Sequence, residues 1–156
     1  MKILIIEDEE LASKRLERLI QQHTPEVEIL AVLDSVKAAL AWFKTHLQQQ
    51  TPELIFLDIH LADGISFDIF KEVEIEVPII FTTAYDEYAL KAFEVNSIDY
   101  ILKPITEKSL HKSLEKWQKH QRGAPQMVDY QQLMAKLGSL DKPRFQSRFM
   151  VKTGAR

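Results

Sequence analysis

The chain has 156 residues, of which 46% are hydrophobic and none is cysteine, and its formal net charge is −3. This length allows one full hydrophobic core, so we expect one domain with an appendage, and the missing cysteines exclude disulfides, thiolate metal sites and thiol nucleophiles. No apolar run is long enough to span a membrane, and the first residues begin a strand rather than a signal peptide, which predicts a cytoplasmic protein with no membrane partner.

Five strand-like apolar runs alternate with segments of helical period along the first two thirds of the chain. The runs cover residues 2–7, 27–32, 53–58, 77–83 and 98–102. Such alternation is typical of a parallel sheet with helices on both faces. The sequence therefore predicts an α/β fold.

The segments between and after the strands predict five helices. The first should follow Asp8 directly, with acidic residues in its opening turn, where the helix dipole favours them. The second has Asp34 or Ser35 as its N-cap, and the fifth begins near Thr106. The expected inward-facing residues are Leu16, Leu19 and Ile20 in the first helix; Val36, Leu40, Phe43 and Leu47 in the second; Phe67 and Phe70 in the third, at 66–72; Ala89 and Phe93 in the fourth, at 86–93; and Leu110, Leu114 and Trp117 in the fifth.

The last third of the chain changes in pattern and in charge. Residues 122–144 are interpreted as a linker with a short amphipathic helix, and residues 145–156 alternate as a half-buried strand does, either at a sheet edge or at the start of a further domain. Residues 103–156 contain 12 Lys and Arg against 4 Asp and Glu, whereas residues 1–102 contain 8 against 19. The acidic part suits divalent cations, and the basic part suits an anionic partner, the acidic part itself or a solvated surface.

Polar side chains stand where four of the strand-like runs end. Glu7 and Asp8 end the first, Asp58 the third, Thr83 the fourth and Lys103 follows the fifth. Because parallel strands place their carboxyl ends at one edge of the sheet, we expect these side chains to converge. Clustered carboxylates repel one another unless a cation is present, so Mg²⁺ is the expected companion, while an ammonium and a hydroxyl suit phosphoryl oxygens. The pattern predicts a phosphate-and-metal site.

Asp58 is the candidate nucleophile of this site. It ends the predicted central strand and precedes the turn-forming Ala62-Asp63-Gly64, so its carboxylate should lie exposed to ligands at the sheet edge. A carboxylate beside Mg²⁺ can attack phosphorus and form an acyl phosphate. The alternative is that Asp58 only caps the following turn, and the polar residues at the matching strand ends favour the first interpretation.

Three further residues have weaker signals. Lys103 before Pro104 also fits an ordinary surface turn, and it gains weight only from the other site residues. His60 is expected to direct its backbone carbonyl at the metal rather than to use its side chain. Tyr100 is either a packed tyrosine or an aromatic side chain that changes rotamer when the site is occupied.

Together these residues resemble the receiver domain of bacterial two-component response regulators. The resembling segments are IIEDE at 5–9, LDIHLADG at 57–64, TTAY at 82–85 and YILKP at 100–104, and the match covers about residues 1–121. Residues 81–105 are more narrowly similar to receivers of the LytTR (LytR/AlgR-type) regulators, and residues 144–156 to the opening strand of their DNA-binding domain. The expected organisation is a receiver at 1–121, a linker at 122–144 and the first strand of a truncated DNA-binding domain at 145–156.

The resemblance implies a flavodoxin-like (βα)5 fold with sheet order 2-1-3-4-5. It also implies that a sensor histidine kinase phosphorylates Asp58. The further roles that it implies are an acidic pocket of Glu7 and Asp8; Mg²⁺ ligands from Asp8, Asp58 and the His60 backbone carbonyl; switch and phosphate contacts from Thr83, Lys103 and Tyr100; and a cis peptide bond before Pro104.

The resemblance implies a signalling switch rather than an enzyme. Such a switch catalyses only its own phosphorylation and dephosphorylation. Inward movement of Thr83 would make room for Tyr100 and alter the face formed by the fourth helix, fifth strand and fifth helix, which is the expected homodimer surface. Promoter DNA would be bound by the full-length protein only. Residues expected on or beside the dimer surface are Tyr85, Tyr88, Lys91 and Phe93.

Two positions depart from the usual receiver pattern, and three rival functions remain. Glu7 stands where many receivers have Asp, and His60-Leu61-Ala62 where Met-Pro is usual.

A degenerate receiver would signal through protein contacts without phosphorylation. An aspartyl-phosphate phosphatase or phosphotransferase would usually need a second acid at position 60. A flavodoxin-like electron carrier would need a hydroxyl-rich phosphate loop where residues 7–10 are acidic.

Overall fold

A computed structural model of the chain describes residues 1–84 and 97–121, all within the first of two compact units, Met1–Gln126. The helix expected at 86–93, the linker at 122–144 and the strand at 145–156 lie outside the described residues. The described strands are β1 (Lys2–Ile6), β2 (Glu28–Leu33), β3 (Leu54–Asp58), β4 (His60–Leu61), β5 (Gly64–Ile65), β6 (Ile79–Thr83) and β7 (Ser97–Leu102). The described helices are α1 (Glu10–His23), α2 (Val36–His46), α3 (Ile69–Glu72, after a 3₁₀ turn at Ser66–Asp68) and α4 (Glu107–Gln121).

The five longer strands form one parallel sheet in the order β2-β1-β3-β6-β7. This is the expected order 2-1-3-4-5 once the two-residue strands β4 and β5 are set aside, so the predicted flavodoxin-like α/β fold is confirmed. The central strand β3 is buried along its whole length. Strands that are covered on both faces are expected to be apolar throughout, as β3 is up to its last residue, Asp58.

Helices α1 and α4 cover one face of the sheet with the residues predicted from their spacing. Leu16, Leu19 and Ile20 of α1 are buried in one core cluster with Ile3, Ile5, Leu54 and Phe56 of the sheet, together with Leu110, Leu114 and Trp117 of α4. Thr106 precedes α4 and caps it, because its Oγ1 accepts a hydrogen bond of 3.1 Å from the backbone N–H of Ser109.

Helix α2 buries a different stripe from the predicted one. Phe43 is buried as expected, but the other buried residues of α2 are Ala39 and Trp42, while Val36, Leu40 and Leu47 are only partly buried. The large Trp42 ring packs edge-on against Phe43, with ring centroids 5.6 Å apart. The area of that indole outweighs the smaller aliphatic side chains in setting which face of α2 points inward.

The segment after Asp58 forms a small antiparallel hairpin that the sequence did not predict. His60 pairs with Ile65 and Leu61 with Gly64, whose φ of 154° favours glycine because a side chain is strained there. The third helix is a single turn, and its fully buried residue is Ile69 rather than Phe70.

None of the helices within residues 1–84 and 97–121 combines the length and apolar character that a membrane span needs.

Candidate receiver site at the carboxyl ends of the strands

The register of the sheet places the ends of β1, β3, β6 and β7 side by side. Leu57 of β3 is aligned with Ile6 of β1, and Asp58 is aligned with Thr82 of β6. Thr83, which ends β6, is aligned with Leu102 of β7. The residues that follow β1 and β7 therefore lie next to Asp58 at one edge of the sheet.

Lys103 is the centre of the hydrogen-bond network at this edge. Its Nζ lies 2.7 Å from Oε1 of Glu7, 2.9 Å from Oδ2 of Asp58 and 3.2 Å from Oε1 of Glu9. The side chains of Glu7 and Asp58 are only 3% and 6% exposed, whereas that of Glu9 is 68% exposed. One ammonium group thus bridges two buried carboxylates and one exposed carboxylate.

Backbone hydrogen bonds fix the chain on both sides of this network. The N–H of Lys103 donates to the carbonyl of Thr83 at 2.8 Å, and the peptide bond between Lys103 and Pro104 is cis. The N–H of Glu7 donates to the carbonyl of Leu33 at 2.8 Å, and the second oxygen of the Glu7 carboxylate accepts from the N–H of Glu9 at 3.1 Å. The carboxylate of Glu7 is therefore held by the loop that follows its own strand.

Burial makes the ionised form of the acidic side chains in this site less favourable than it is in water. Burial raises the pKa of Asp58 and that of Glu7 above their ordinary values, although the hydrogen bonds from Lys103 oppose both shifts. Burial also raises the pKa of Asp8, and the neighbouring Glu7 adds to that shift. Burial lowers the pKa of Lys103, but the hydrogen bonds and charges of Glu7 and Asp58 raise it more, so this amine stays protonated.

The donor set fits a hard divalent cation. Within the described residues, Glu7, Asp8, Glu9 and Asp58 offer carboxylate oxygens that all lie within 4.8 Å of one another. Mg²⁺ prefers oxygen ligands and usually keeps several waters. A cation among these oxygens would relieve the repulsion that the single ammonium of Lys103 leaves uncompensated.

The other predicted site residues lie on or next to the same strands. Thr83 is fully buried at the end of β6, and Tyr100 is 2% exposed in β7, where it is aligned with Phe81. His60 begins β4, two residues after Asp58. The expected roles of these three residues, two in switching and one in metal binding, remain predictions.

The sequence missed contacts made by two acidic residues near the site. Glu9 is one of the acidic residues that the sequence pattern places at the start of the first helix, and its carboxylate also contacts Lys103. Asp63 was interpreted as a turn residue, yet its carboxylate accepts hydrogen bonds from the N–H groups of Val36 at 2.7 Å and Lys37 at 3.0 Å. These bonds lower the pKa of Asp63 and connect the loop after Asp58 to the start of α2.

The fold and the acid-and-lysine site together define a receiver. Residues 3–115 match the family described as response regulator receiver domain, and the chain belongs to this family. It is similar to the sensory transduction protein LytT of Bacillus cereus, with 42% identity over 78% of this chain and 49% of that protein. The LytT protein of Enterococcus faecalis is 44% identical over 74% of this chain and 47% of its own length. The resemblance to LytTR-type regulators is thereby confirmed.

A solved structure supports the same assignment. The response regulatory domain of protein mrkE from Klebsiella pneumoniae is 35% identical, covers 79% of this chain and 99% of its own, and superposes with a TM-score of 0.65. The chain spans about half the length of the curated relatives that it matches.

Proposed function

We propose that this chain is a phosphorylation switch in which Asp58 accepts a phosphoryl group from a sensor histidine kinase. The observation that supports this most is the partly buried ammonium of Lys103, which lies 2.9 Å from Asp58 and 2.7 Å from Glu7. A lysine held in this way remains charged, and it is placed to transfer its hydrogen bonds from a carboxylate to a phosphoryl oxygen.

In the proposed reaction an oxygen of the Asp58 carboxylate attacks phosphorus. The P–N bond of a phosphohistidine on the kinase breaks, and its electron pair stays with the histidine nitrogen. Lys103 opposes the effect of burial on the pKa of Asp58 and so favours the nucleophilic anion. The domain would catalyse this transfer and the later hydrolysis on itself, without acting as an enzyme on other substrates.

Asp8, Asp58 and the backbone carbonyl of His60 would hold Mg²⁺ in this site. The ion, when bound, would stabilise the negative charge that develops on the transferring phosphoryl group. Glu7 would complete the acidic pocket, where its carboxylate is already fixed by Lys103 and by the N–H of Glu9.

The signal would leave the site through Thr83 and Tyr100. A phosphoryl group adds about −1.5 to −2 charges and three acceptor oxygens, which attract the Thr83 hydroxyl. Movement of Thr83 would make room for Tyr100 in the neighbouring strand. The surface made by β7, α4 and the helix expected at 86–93 would then favour a homodimer.

In the full-length protein this dimerisation would control promoter binding by a DNA-binding domain that begins near residue 145. Residues 122–144 would be the linker to that domain. Phosphoryl transfer from a sensor histidine kinase requires the receiver to lie in the cytoplasm, which is the location that we propose.

The test is the intact mass of the chain after incubation with acetyl phosphate, with and without Mg²⁺. We expect one added phosphoryl group that needs Mg²⁺, is absent from Asp58→Asn and is retained by Asp63→Asn, a matched control in the exposed turn five residues later. No addition to the folded wild type would contradict the proposal and favour a receiver that signals without phosphorylation. Equal addition to Asp58→Asn would place the acceptor at another residue.

A further inference from the structure

Two histidines meet between the helices that cover one face of the sheet. His23 is the last residue of α1, and His111 lies in the second turn of α4. The Nε2 atom of His23 lies 2.9 Å from Nδ1 of His111, and the ring centroids are 4.9 Å apart. Neither residue has a role in the acid-and-lysine site.

The other nitrogen of each ring also has a polar neighbour. Nε2 of His111 lies 3.3 Å from Oε1 of Glu115, and because a carboxylate only accepts, this contact favours the tautomer with the proton on Nε2 and a lone pair on Nδ1. Nδ1 of His23 lies 3.1 Å from Oγ1 of Thr24, a hydroxyl that can donate or accept. An arrangement of neutral rings that satisfies these contacts has Thr24 donating to His23, and His23 donating through Nε2 to His111.

We propose that His23 and His111 form a binding site for a divalent transition-metal ion such as Zn²⁺. If the Thr24 hydroxyl turns to accept, the proton of His23 moves from Nε2 to Nδ1. Two imidazole lone pairs then face the same point, and the protein neither gains nor loses a proton.

The distance between the rings suits this role. Two Zn–N bonds of about 2.0–2.1 Å at a tetrahedral angle place their nitrogens about 3.3–3.4 Å apart. The two facing nitrogens, Nε2 of His23 and Nδ1 of His111, are now 2.9 Å apart and need to separate by only about half an ångström.

The surroundings of the pair supply further features of a metal site. The Glu115 carboxylate faces the far nitrogen of His111, and a carboxylate in this place orients a ligating imidazole. A cavity of about 450 Å³ opens beside both rings, and Glu107 and Gln22 line it as well. Water in this cavity can supply the remaining ligands of the ion.

The nitrogen ligands distinguish this site from the acidic cluster around Asp58. Imidazole suits Zn²⁺, Cu²⁺ and Ni²⁺, whereas a site of carboxylate oxygens suits Mg²⁺. A bound ion would connect the end of α1 to the second turn of α4.

Calorimetric titration of the tag-free chain with ZnCl₂, in excess Mg²⁺ to occupy the acidic cluster, tests this proposal. We expect one Zn²⁺ per chain with a micromolar Kd, weakened at least tenfold in His23→Ala and in His111→Ala. His120→Ala, on the same helix but outside the pair, is the matched control and should bind as the wild type does. Zn²⁺ should raise the Tm of the wild type and of the control but not of the two pair variants, because it binds only the folded state.

Folding and site identity are controlled separately. Melting curves without Zn²⁺ show whether the pair variants fold, and His23→Asn and His111→Gln provide milder replacements. Binding should persist in Asp58→Asn. The proposal is overturned if wild type gives no binding below millimolar Zn²⁺, if both pair variants bind as tightly as wild type, or if Asp58→Asn abolishes binding.

Discussion

Two buried carboxylates, Asp58 and Asp99, differ in how their charge is compensated. The side chain of each is 6% exposed, and each contacts a lysine, Lys103 at 2.9 Å and Lys116 at 3.3 Å. Asp99 in β7 also accepts a hydrogen bond from the buried Ser113 hydroxyl of α4. Asp58 must instead share Lys103 with two other carboxylates.

The comparison separates a structural ion pair from a functional site. At Asp99 one cation and one hydroxyl satisfy the carboxylate and join β7 to α4. At Asp58 the negative charge exceeds the positive charge, which costs stability until a cation binds. Buried acids in excess of their cations are therefore the feature that identifies the receiver site.

Removal of the lysines should give the largest effects. Lys103→Met leaves Glu7 and Asp58 buried without their cation, and we expect it to lower the free energy of unfolding by about 3 kcal/mol at neutral pH. Lys116→Met should cost about 1 kcal/mol because Lys116 is more exposed and Ser113 still satisfies Asp99. Urea denaturation of both variants measures this, and equal losses would contradict the proposed difference.

Removal of the structural carboxylate should destabilise the fold. Asp99→Ala leaves the Ser113 hydroxyl buried without this acceptor and removes the counter-ion of Lys116. We expect a loss of about 2 kcal/mol in thermal or urea unfolding. Phosphorylation by acetyl phosphate should survive this change, and its complete loss from folded protein would show that the two regions are not independent.

Removal of the Asp58 carboxylate should stabilise the fold rather than destabilise it. Burial raises the pKa of Asp58 in the folded state, so Asp58→Asn without Mg²⁺ should stabilise the fold by about 1 kcal/mol, or about 2–4 °C in Tm. Mg²⁺ should raise the Tm of the wild type but not that of the variant. A lower Tm for Asp58→Asn under these conditions would mean that the Lys103 contact outweighs the cost of burial.

The pH dependence follows from the same shifts. The raised pKa values of Glu7 and Asp58 mean that the folded state holds protons that the unfolded state has already released, so stability falls as pH rises from near 3.8 through these raised pKa values. Melting without Mg²⁺ across this window should show the fall in wild type, and Mg²⁺ should reduce it. A stability that rises through the window would contradict the shifts.

The smallest effect is expected at the loop after Asp58. Asp63→Ala removes the acceptor for the N–H groups of Val36 and Lys37, and Ser35 still caps α2 through the N–H of Ala38. We expect a loss of about 0.5–1 kcal/mol in unfolding free energy. A loss as large as that of Asp99→Ala would show that this loop contributes more to the fold than its contacts indicate.

The sequence predicted the strands and the site because both depend on local patterns. Apolar runs gave the five longer strands to within about two residues, which is the usual uncertainty of such boundaries. The rule that parallel strands share a carboxyl edge then brought together Glu7, Asp58, Thr83 and Lys103 from four separate segments.

What the sequence did not predict depends on contacts between distant segments. The buried face of α2 differs from the predicted one because the large Trp42 side chain packs inward. The hairpin at His60–Ile65 depends on the backbone conformation of Gly64. The link between Asp99 and Ser113 joins β7 to α4 across a loop. Spacing along the chain gives no measure of such tertiary contacts.

The most direct test of the central claim is to locate the acyl phosphate itself. Wild-type chain phosphorylated in the presence of Mg²⁺ is reduced with borohydride, which converts an aspartyl phosphate to homoserine, and the peptides are then sequenced by mass spectrometry. We predict homoserine at position 58 alone, with Asp8 and Asp99 unchanged. Homoserine at another position, or none in protein that carries the added phosphoryl mass, would contradict the assignment of Asp58 as the acceptor.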